Sequence, residues 1–338
     1  MPDPTSENGA DVFDVVIVGA GPAGLTAGIY CSRGRLKTAV LERNMAGGQI
    51  ALTDLVENYP GFPEGISGFD LATKMKDQAV KFGAEMREIE SVSELRTDPD
   101  GCHVIVTDRE EIRTRAVILA PGVEGRRSGI PGEAEFIGRG VSWCATCDGA
   151  LYRGRTVAVI GGGDSAVEEG MFLTKFADKV YIVHRRDQLR AAPIAQERAF
   201  ANDKVEFVWD SVPKRIDGAE MVEALEVENV KTGEGRALPV NGVFIYIGQI
   251  PNTTWLKDTV ALDDWGYIVT DGLLRTELPG VFACGDARAN PLKQIAMAIG
   301  EGALAAVQAE RYIDELGSPT SGVKDAAGEG AAAAGTQR

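Results

Sequence analysis

The strongest constraint on the fold is a pattern that occurs twice. Residues 14–18, Asp-Val-Val-Ile-Val, form an apolar, β-branched run that empties into Gly19-Ala20-Gly21-Pro22-Ala23-Gly24 and then residues 25–32. Such a run reads as a strand buried on both faces, as in parallel sheets. The glycine spacing has a mechanical meaning. The first allows a tight turn, the second lets backbone approach a pyrophosphate, and the third lets helix and strand pack closely. A second strand over 37–41 ends at Glu42, where an acid suits a ribose hydroxyl and disfavours a 2′-phosphate.

The pattern returns at residues 156–160, followed by Gly161-Gly162-Gly163-Asp164-Ser165-Ala166, a helix over 167–176 and a strand over 180–183. This strand ends in His184-Arg185-Arg186, with Arg190 close behind. Arginine forks hold phosphate bidentately, so the second unit reads as a site for a 2′-phosphate, and hence for NADPH rather than NADH. The first unit reads as a site for FAD or NAD.

Between the two units lies Trp143-Cys144-Ala145-Thr146-Cys147-Asp148-Gly149. Two thiols at Cys-x-x-Cys spacing in an α/β chain read as a redox-active dithiol, because closure is intramolecular. A metal site is the alternative, but no second Cys/His pair stands at zinc spacing, and no metal is expected. The other cysteines, Cys31, Cys102 and Cys284, stand alone in apolar or strand-like surroundings and read as small core hydrophobes.

Charge narrows the function further. A net charge of −15 leaves no basic stripe to neutralise phosphates, so nucleic acid is not an expected partner. Residues 15–32 carry no charge, but Gly19, Gly21, Pro22, Gly24 and Gly28 break them into strand, turn and helix, so no membrane span is expected. Five cysteines are too few and odd for a secreted disulfide framework, and the first ten residues are polar and acidic. A reducing cytoplasm is the expected compartment.

The remainder organises around the two units. Residues 69–83 read as an amphipathic helix with Leu71, Met75, Ala79 and Phe82 on one face and Gly83 as its stop. Residues 242–248 echo 116–122 as a closing strand. The last stretch has one buried strand, 280–284, and one long helix, about 293–316, which is too little for a domain; it reads as returning to complete the first unit. The expected fold is therefore α/β, with two Rossmann-like dinucleotide-binding domains, the second inserted into the first. The boundaries are 12–124 and 252–317 for the FAD domain and 125–251 for the NADPH domain carrying the dithiol. Polar or Gly/Ala-rich tails over 1–11 and 318–338 read as disordered.

Taken together, these motifs make the chain resemble the low-molecular-weight, flavin-dependent thioredoxin reductases. The resemblance rests on residues 19–24, Gly47-Gly48-Gln49, Glu57-Asn58-Tyr59-Pro60-Gly61-Phe62, 144–149, 161–169, 184–186 with Arg190, and Gly285-Asp286. It implies FAD held by Gly19, Gly21, Pro22, Ala23, Gly24, Glu42, Gln49, Asn58, Val92, Gly285, Asp286, Lys293, Gln294 and Ile295. It implies NADPH held by Gly161, Gly163, Asp164, Ser165, Glu168, His184, Arg185, Arg186, Arg190 and Ile247. Cys147 would face the flavin, Cys144 would attack the thioredoxin disulfide, and Asp148 would carry the proton. The resemblance also implies a homodimer, a helix N-terminus near Lys293 aimed at the flavin, and a rotation between lobes about 122–125 and 248–252. The chain departs from the family's Arg-Gln-Ala by carrying Lys293-Gln294-Ile295, and lysine is not equivalent to arginine at a bidentate site.

Two other functions stay open at this level: a related flavoprotein disulfide reductase with another donor or acceptor, and a non-turnover NADPH or redox sensor. A glutathione-reductase-like His-Glu pair is excluded, since His103 and His184 are the only histidines and neither is near the C-terminus.

Overall fold

A computed structural model describes residues 12–317, so the two tails read as disordered lie outside the described residues. The first lobe opens with β1 (Phe13–Val18), α1 (Pro22–Arg33) and β2 (Thr38–Glu42), in which Val15, Val16 and Ile17 are fully buried. The helix α2 (Gly68–Phe82) follows, capped where Ser67 Oγ accepts the Asp70 N–H at 3.2 Å and stopped at Gly83 with φ +106°. Then come β3 (Glu85–Glu88), β4 (Val92–Thr97), β5 (His103–Thr107) and β6 (Glu111–Leu119). They form one sheet in the order β3-β2-β1-β6-β5-β4, parallel through β3, β2, β1 and β6 and antiparallel through β6, β5 and β4.

The chain crosses to the second lobe by β7 (Val123–Gly125), and that lobe contains β8 (Val141–Ser142), the short α3 (Ala145–Asp148), β9 (Thr156–Ile160), α4 (Asp164–Leu173), β10 (Lys179–Val183), α5 (Pro193–Phe200) and β11 (Val205–Val208). Three antiparallel strands follow, β12 (Ser211–Gly218), β13 (Val222–Asn229) and β14 (Gly235–Pro239), and then β15 (Gly242–Ile245). The parallel sheet runs β11-β10-β9-β15-β8, while β12-β13-β14 make a separate layer that the sequence did not announce. Val222, Leu225 and Val227 of β13 bury against the face carrying Ile160 and Val183. Glu223, Glu226 and Glu228 and a register shift at Asp217/Gly218 blur the period that marks such strands.

Both chain crossings between the lobes lie in one place. The strand β16 (Gln249–Pro251) pairs antiparallel with β7, Gln249 opposite Gly125 and Pro251 opposite Val123. Beyond it, β17 (Val281–Ala283) adds parallel to β6 in the first sheet, and α6 (Ile295–Gly317) packs on α1. The close approach there is backbone to backbone: a Cβ on Gly302 would lie 2.2 Å from the Ala23 carbonyl oxygen.

Helix starts differ from the sequence expectation in a consistent way. α1 begins at Pro22 and α4 at Asp164, inside the glycine motifs, because extended Gly21 and Gly163 serve as N-caps and a proline suits the first helical position. Cys31 and Cys284 are buried and Cys102 is half-buried. Burial pushes the Cys31 thiol up to about 12 and the Cys284 thiol up as well, as befits core residues rather than reactive thiols. Among the described residues, no helix is long and apolar enough to cross a membrane.

Candidate active site

The first glycine turn is built as its spacing predicts. Gly19 has φ +105°, and a Cβ there would sit 2.1 Å from the Ala120 carbonyl oxygen. A Cβ on Gly24 would sit 1.8 Å from the Gly19 carbonyl oxygen, so only glycine lets α1 close on the turn. At Gly21, by contrast, nothing lies nearer than Gly48 Cα at 4.0 Å, which leaves a bare backbone edge beside the space in front of the turn. Glu42, at the end of β2, accepts the Ala20 N–H through Oε2 and the Asn44 N–H through Oε1, both at 2.9 Å. Its carboxylate is thereby fixed at the mouth of the turn with lone pairs still free.

That turn opens on a cavity of about 1430 Å³. It is larger than the roughly 300–1,000 Å³ that holds one drug-sized ligand. Gly19, Gly21, Pro22, Ala23, Glu42, Gln49, Asn58, Gly285, Asp286, Lys293, Gln294 and Ile295 all line it. Gly24 supports the turn from behind, and Val92 packs on the core beneath the sheet, away from the cavity. Burial holds the Asp286 carboxyl above its usual range, against the pull of Lys293. Asn58 Nδ2 donates to Gln294 Oε1 at 3.0 Å, pinning the residue before α6 to the loop of residues 57–62.

Lys293 lines the cavity, and its ammonium is held within the chain. Its ammonium donates to the carbonyls of Asp286 at 2.7 Å and Arg288 at 2.6 Å and lies 4.2 Å from the Tyr267 ring centroid. The lysine therefore ties the turn that presents Asp286. Burial is the main influence on it and holds its pKa down. The unusual stretch before it closes on a polar network: Glu301, buried, accepts from Gly285 N–H at 2.8 Å, from Arg288 Nη2 at 2.5 Å and from Asn290 Nδ2 at 3.2 Å.

The second lobe contributes the opposite wall. Asp164, Ser165 and Glu168 line the same cavity, together with Glu169, which sequence reasoning missed. Burial, then neighbouring Glu168 and Asp54, push the Glu169 carboxyl up to about 7, and its Oε2 is buried without a hydrogen-bond partner. Two ion pairs bridge the lobes at the rim. Arg198 holds Glu57 through two bonds, at 2.5 and 3.2 Å, and Lys175 pairs with Asp54.

Behind the second turn the arginines gather as predicted. Arg185, Arg186 and Arg190 line a depression of about 330 Å³, with Lys231 as a fourth cation. Lys231 comes from the β13–β14 connection, which no local motif marks. Asp187 and Asp210 are both paired with Lys231, whereas the three guanidiniums form no ion pair among the described residues. His184 does not reach outward. It is buried with its ring against Gly162, where a Cβ would lie 2.3 Å from Nδ1, and its Nε2 has no partner. Burial first, then the arginines, hold its pKa below the usual range. Gly161, Gly163 and Ile247 shape the turn and the hinge without lining either space.

Cys144 and Cys147 are joined by a disulfide, with their Cα atoms 5.3 Å apart. Cys144 caps α3, its Sγ accepting the Cys147 N–H at 3.1 Å, and its own N–H donates to Ser142 Oγ at 3.0 Å. The Tyr246 hydroxyl accepts the Ala145 N–H at 3.0 Å. Cys147 is exposed, and neither sulfur lines the large cavity. In this arrangement the nucleotide turn faces the first lobe and the disulfide faces solvent.

A profile of the pyridine nucleotide-disulphide oxidoreductase family matches residues 13–302. The chain belongs to this family. Thioredoxin reductases are among its relatives within this family. That of Listeria monocytogenes is 48% identical over 312 residues, 90% of this chain and 95% of the relative. That of Bacillus subtilis is 46% identical over 309 residues, 90% and 96%. The solved Lactococcus lactis thioredoxin reductase, described as its FR conformation, superposes with a TM-score of 0.87 at 44% identity, covering 90% of this chain and 99% of that one. The Streptococcus pyogenes enzyme, 45% identical with the same coverage, reaches only 0.60. Membership in this oxidoreductase family brings a flavin and a pyridine nucleotide as cofactors.

Proposed function

We propose that this chain is an NADPH-dependent, FAD-containing thioredoxin-disulfide reductase, built from a discontinuous FAD domain (12–124 and 252–317) and an NADPH domain (125–251). One observation carries this most directly: a closed Cys144–Cys147 disulfide stands on the same lobe as an arginine-flanked nucleotide turn whose helix faces the other lobe's cavity. FAD suits the bare edge at Gly21 and Gly48, the fixed carboxylate of Glu42 and the α6 end at Gln294 and Ile295. Bound there, it supplies two-electron transfer between a nicotinamide and a disulfide. The guanidiniums of Arg185, Arg186 and Arg190, which form no ion pair among the described residues, suit the 2′-phosphate of NADPH, and the carboxylate at Glu42 disfavours one in the first lobe.

The chain's own residues do the rest. Asp164 accepts the Ala192 N–H at 2.6 Å, so the start of α4 and the arginine loop move as one piece. Once the disulfide is reduced, the Cys144 thiolate attacks one sulfur of the thioredoxin disulfide and releases the other as a thiolate. Asp148 supplies that leaving thiolate with its proton. Cys147 then attacks Cys144, re-forming the disulfide and freeing thioredoxin's second thiolate.

Reduction of the disulfide requires it to reach the cavity, whose second-lobe wall in this arrangement is the start of α4. A rotation of the lobes answers this need, and two solved relatives of nearly equal identity that superpose at 0.87 and 0.60 support it, since a changed lobe placement lowers the score without changing either lobe. The test is Cys147→Ser. It should abolish thioredoxin reduction while NADPH still bleaches the flavin, and a fully active variant would sink the dithiol route. One flavin reduction without turnover in the wild type would instead favour a redox sensor.

A further inference from the structure

The hinge ribbon is fastened unequally at its two ends. On the first-lobe side, Gln49 Nε2 donates to the Val123 carbonyl, while Asn252 donates from its N–H to Gly122 and from Nδ2 to Pro121, all at 3.0 Å. Val123 is buried there, and Arg43 meets Glu124 at 3.4 Å. On the second-lobe side, the Arg126 N–H donates to the Gly248 carbonyl at 2.9 Å, and Gly248 stands at φ +116° with nothing within 4 Å of an added Cβ. Ribbon and first lobe therefore make one body, and the pivot lies at residues 125–126 and 248.

One side chain of the second lobe bears on that pivot. A Cβ on Gly125 would lie 2.8 Å from Trp143 Cδ1, 3.3 Å from Cγ and 3.5 Å from Cβ, so the Cβ–Cγ–Cδ1 edge of a side chain packed on the second-lobe core abuts bare backbone. Arg127 stands over the ring at 5.6 Å, and the buried indole N–H has no hydrogen-bond partner in this arrangement. The next residue is Cys144.

Resting on the two-arrangement cycle proposed above, we propose that Trp143 is a positioning residue, the bearing over which Gly125 slides as the lobes rotate, so that hinge and dithiol turn are mechanically joined. An added Cβ at residue 125 obstructs the indole. Removing the indole relieves that obstruction.

The experiment uses the FAD-loaded enzyme mixed anaerobically with NADPH, following flavin bleaching and then the appearance of free thiols by acid quench. Gly125→Ala should leave bleaching within about twofold of wild type and slow thiol appearance about tenfold, and Gly125→Ala/Trp143→Ala should return it to the rate of Trp143→Ala alone. A Gly125→Ala enzyme with both phases normal, both slowed alike, or no recovery in the double variant overturns the bearing. If Gly125→Ala does not fold, the emission of Trp143, taken as wild type minus Trp143→Phe, decides. It should change between the oxidised and the NADPH-reduced enzyme, and an unchanged emission overturns the proposal. A wild type that bleaches but never forms thiols removes the underlying cycle instead, so the two failures are distinct.

Discussion

The two glycine turns share a plan and differ where their strands end. In the first, Glu42 folds back to hold the Ala20 N–H, and α1 brings no acid to its first turn. In the second, His184 is buried as a support under Gly162, three arginines without an ion pair among the described residues follow it, and α4 brings Asp164, Glu168 and Glu169 forward into the cavity. The first turn thus carries a fixed carboxylate at its mouth, and the second an open, cationic depression behind it. The same local geometry serves both, and the sign of charge one strand away separates them.

The steric half of this comparison should produce the largest effect. Gly24→Ala puts a Cβ 1.8 Å from the Gly19 carbonyl oxygen, where only backbone could yield. It should cost more than about 4 kcal/mol or prevent folding. The second turn already carries alanine at the matching position, and Ala166→Gly there should cost only about 1 kcal/mol in thermal or urea unfolding. Equal losses at both sites would mean that the turns are not built differently.

The electrostatic half comes next. Replacing Arg185 and Arg186 by alanine should weaken NADPH by about 1.5–3 kcal/mol for each charged hydrogen bond lost, leaving NADH and FAD content unchanged. An unchanged preference in NADPH and NADH titrations would remove the phosphate assignment. Glu169 sharpens the contrast between the helices. Its carboxyl is raised from 4.5 to about 7, so it destabilises the fold progressively as pH rises from about 4.5 to about 7, and fully above that. Glu169→Gln should recover at most about 3 kcal/mol at pH 8 and almost nothing near pH 4.5, read as melting curves across that range. The smallest effect concerns how the turns meet. Arg198→Ala removes a half-exposed ion pair with Glu57 and should cost under about 1 kcal/mol, less in high salt. A larger loss in inter-lobe FRET would give that pair a greater part in setting lobe placement.

Legibility in the sequence followed how local each feature is. The buried strands β1 and β9, the glycine turns, the Gly83 stop of α2 and the dithiol spacing are all set by residues within about one turn or strand of one another, and each stood where its pattern placed it. The layer β12-β13-β14 did not announce itself, since its buried residues are interleaved with glutamates and interrupted by a bulge. Lys231 and Glu169 escaped for another reason. Nothing near Lys231 marks it, and Glu169, though it ends the 161–169 motif, is shown to face the cavity only by packing, as Lys231 is shown to stand beside the arginines.

The sequence alone determined the chemistry available: two nucleotide turns of opposite charge preference and a dithiol between them, because these are short-range patterns with strict steric meaning. Only the tertiary structure decided how that chemistry is aimed. It set the return of β17 to β6, the ammonium of Lys293 on two carbonyls, the disulfide facing solvent, and Trp143 resting on the pivot at Gly125. Each of these depends on contacts between segments far apart in the chain, or on how one lobe is set against the other, and no run of neighbouring residues encodes that.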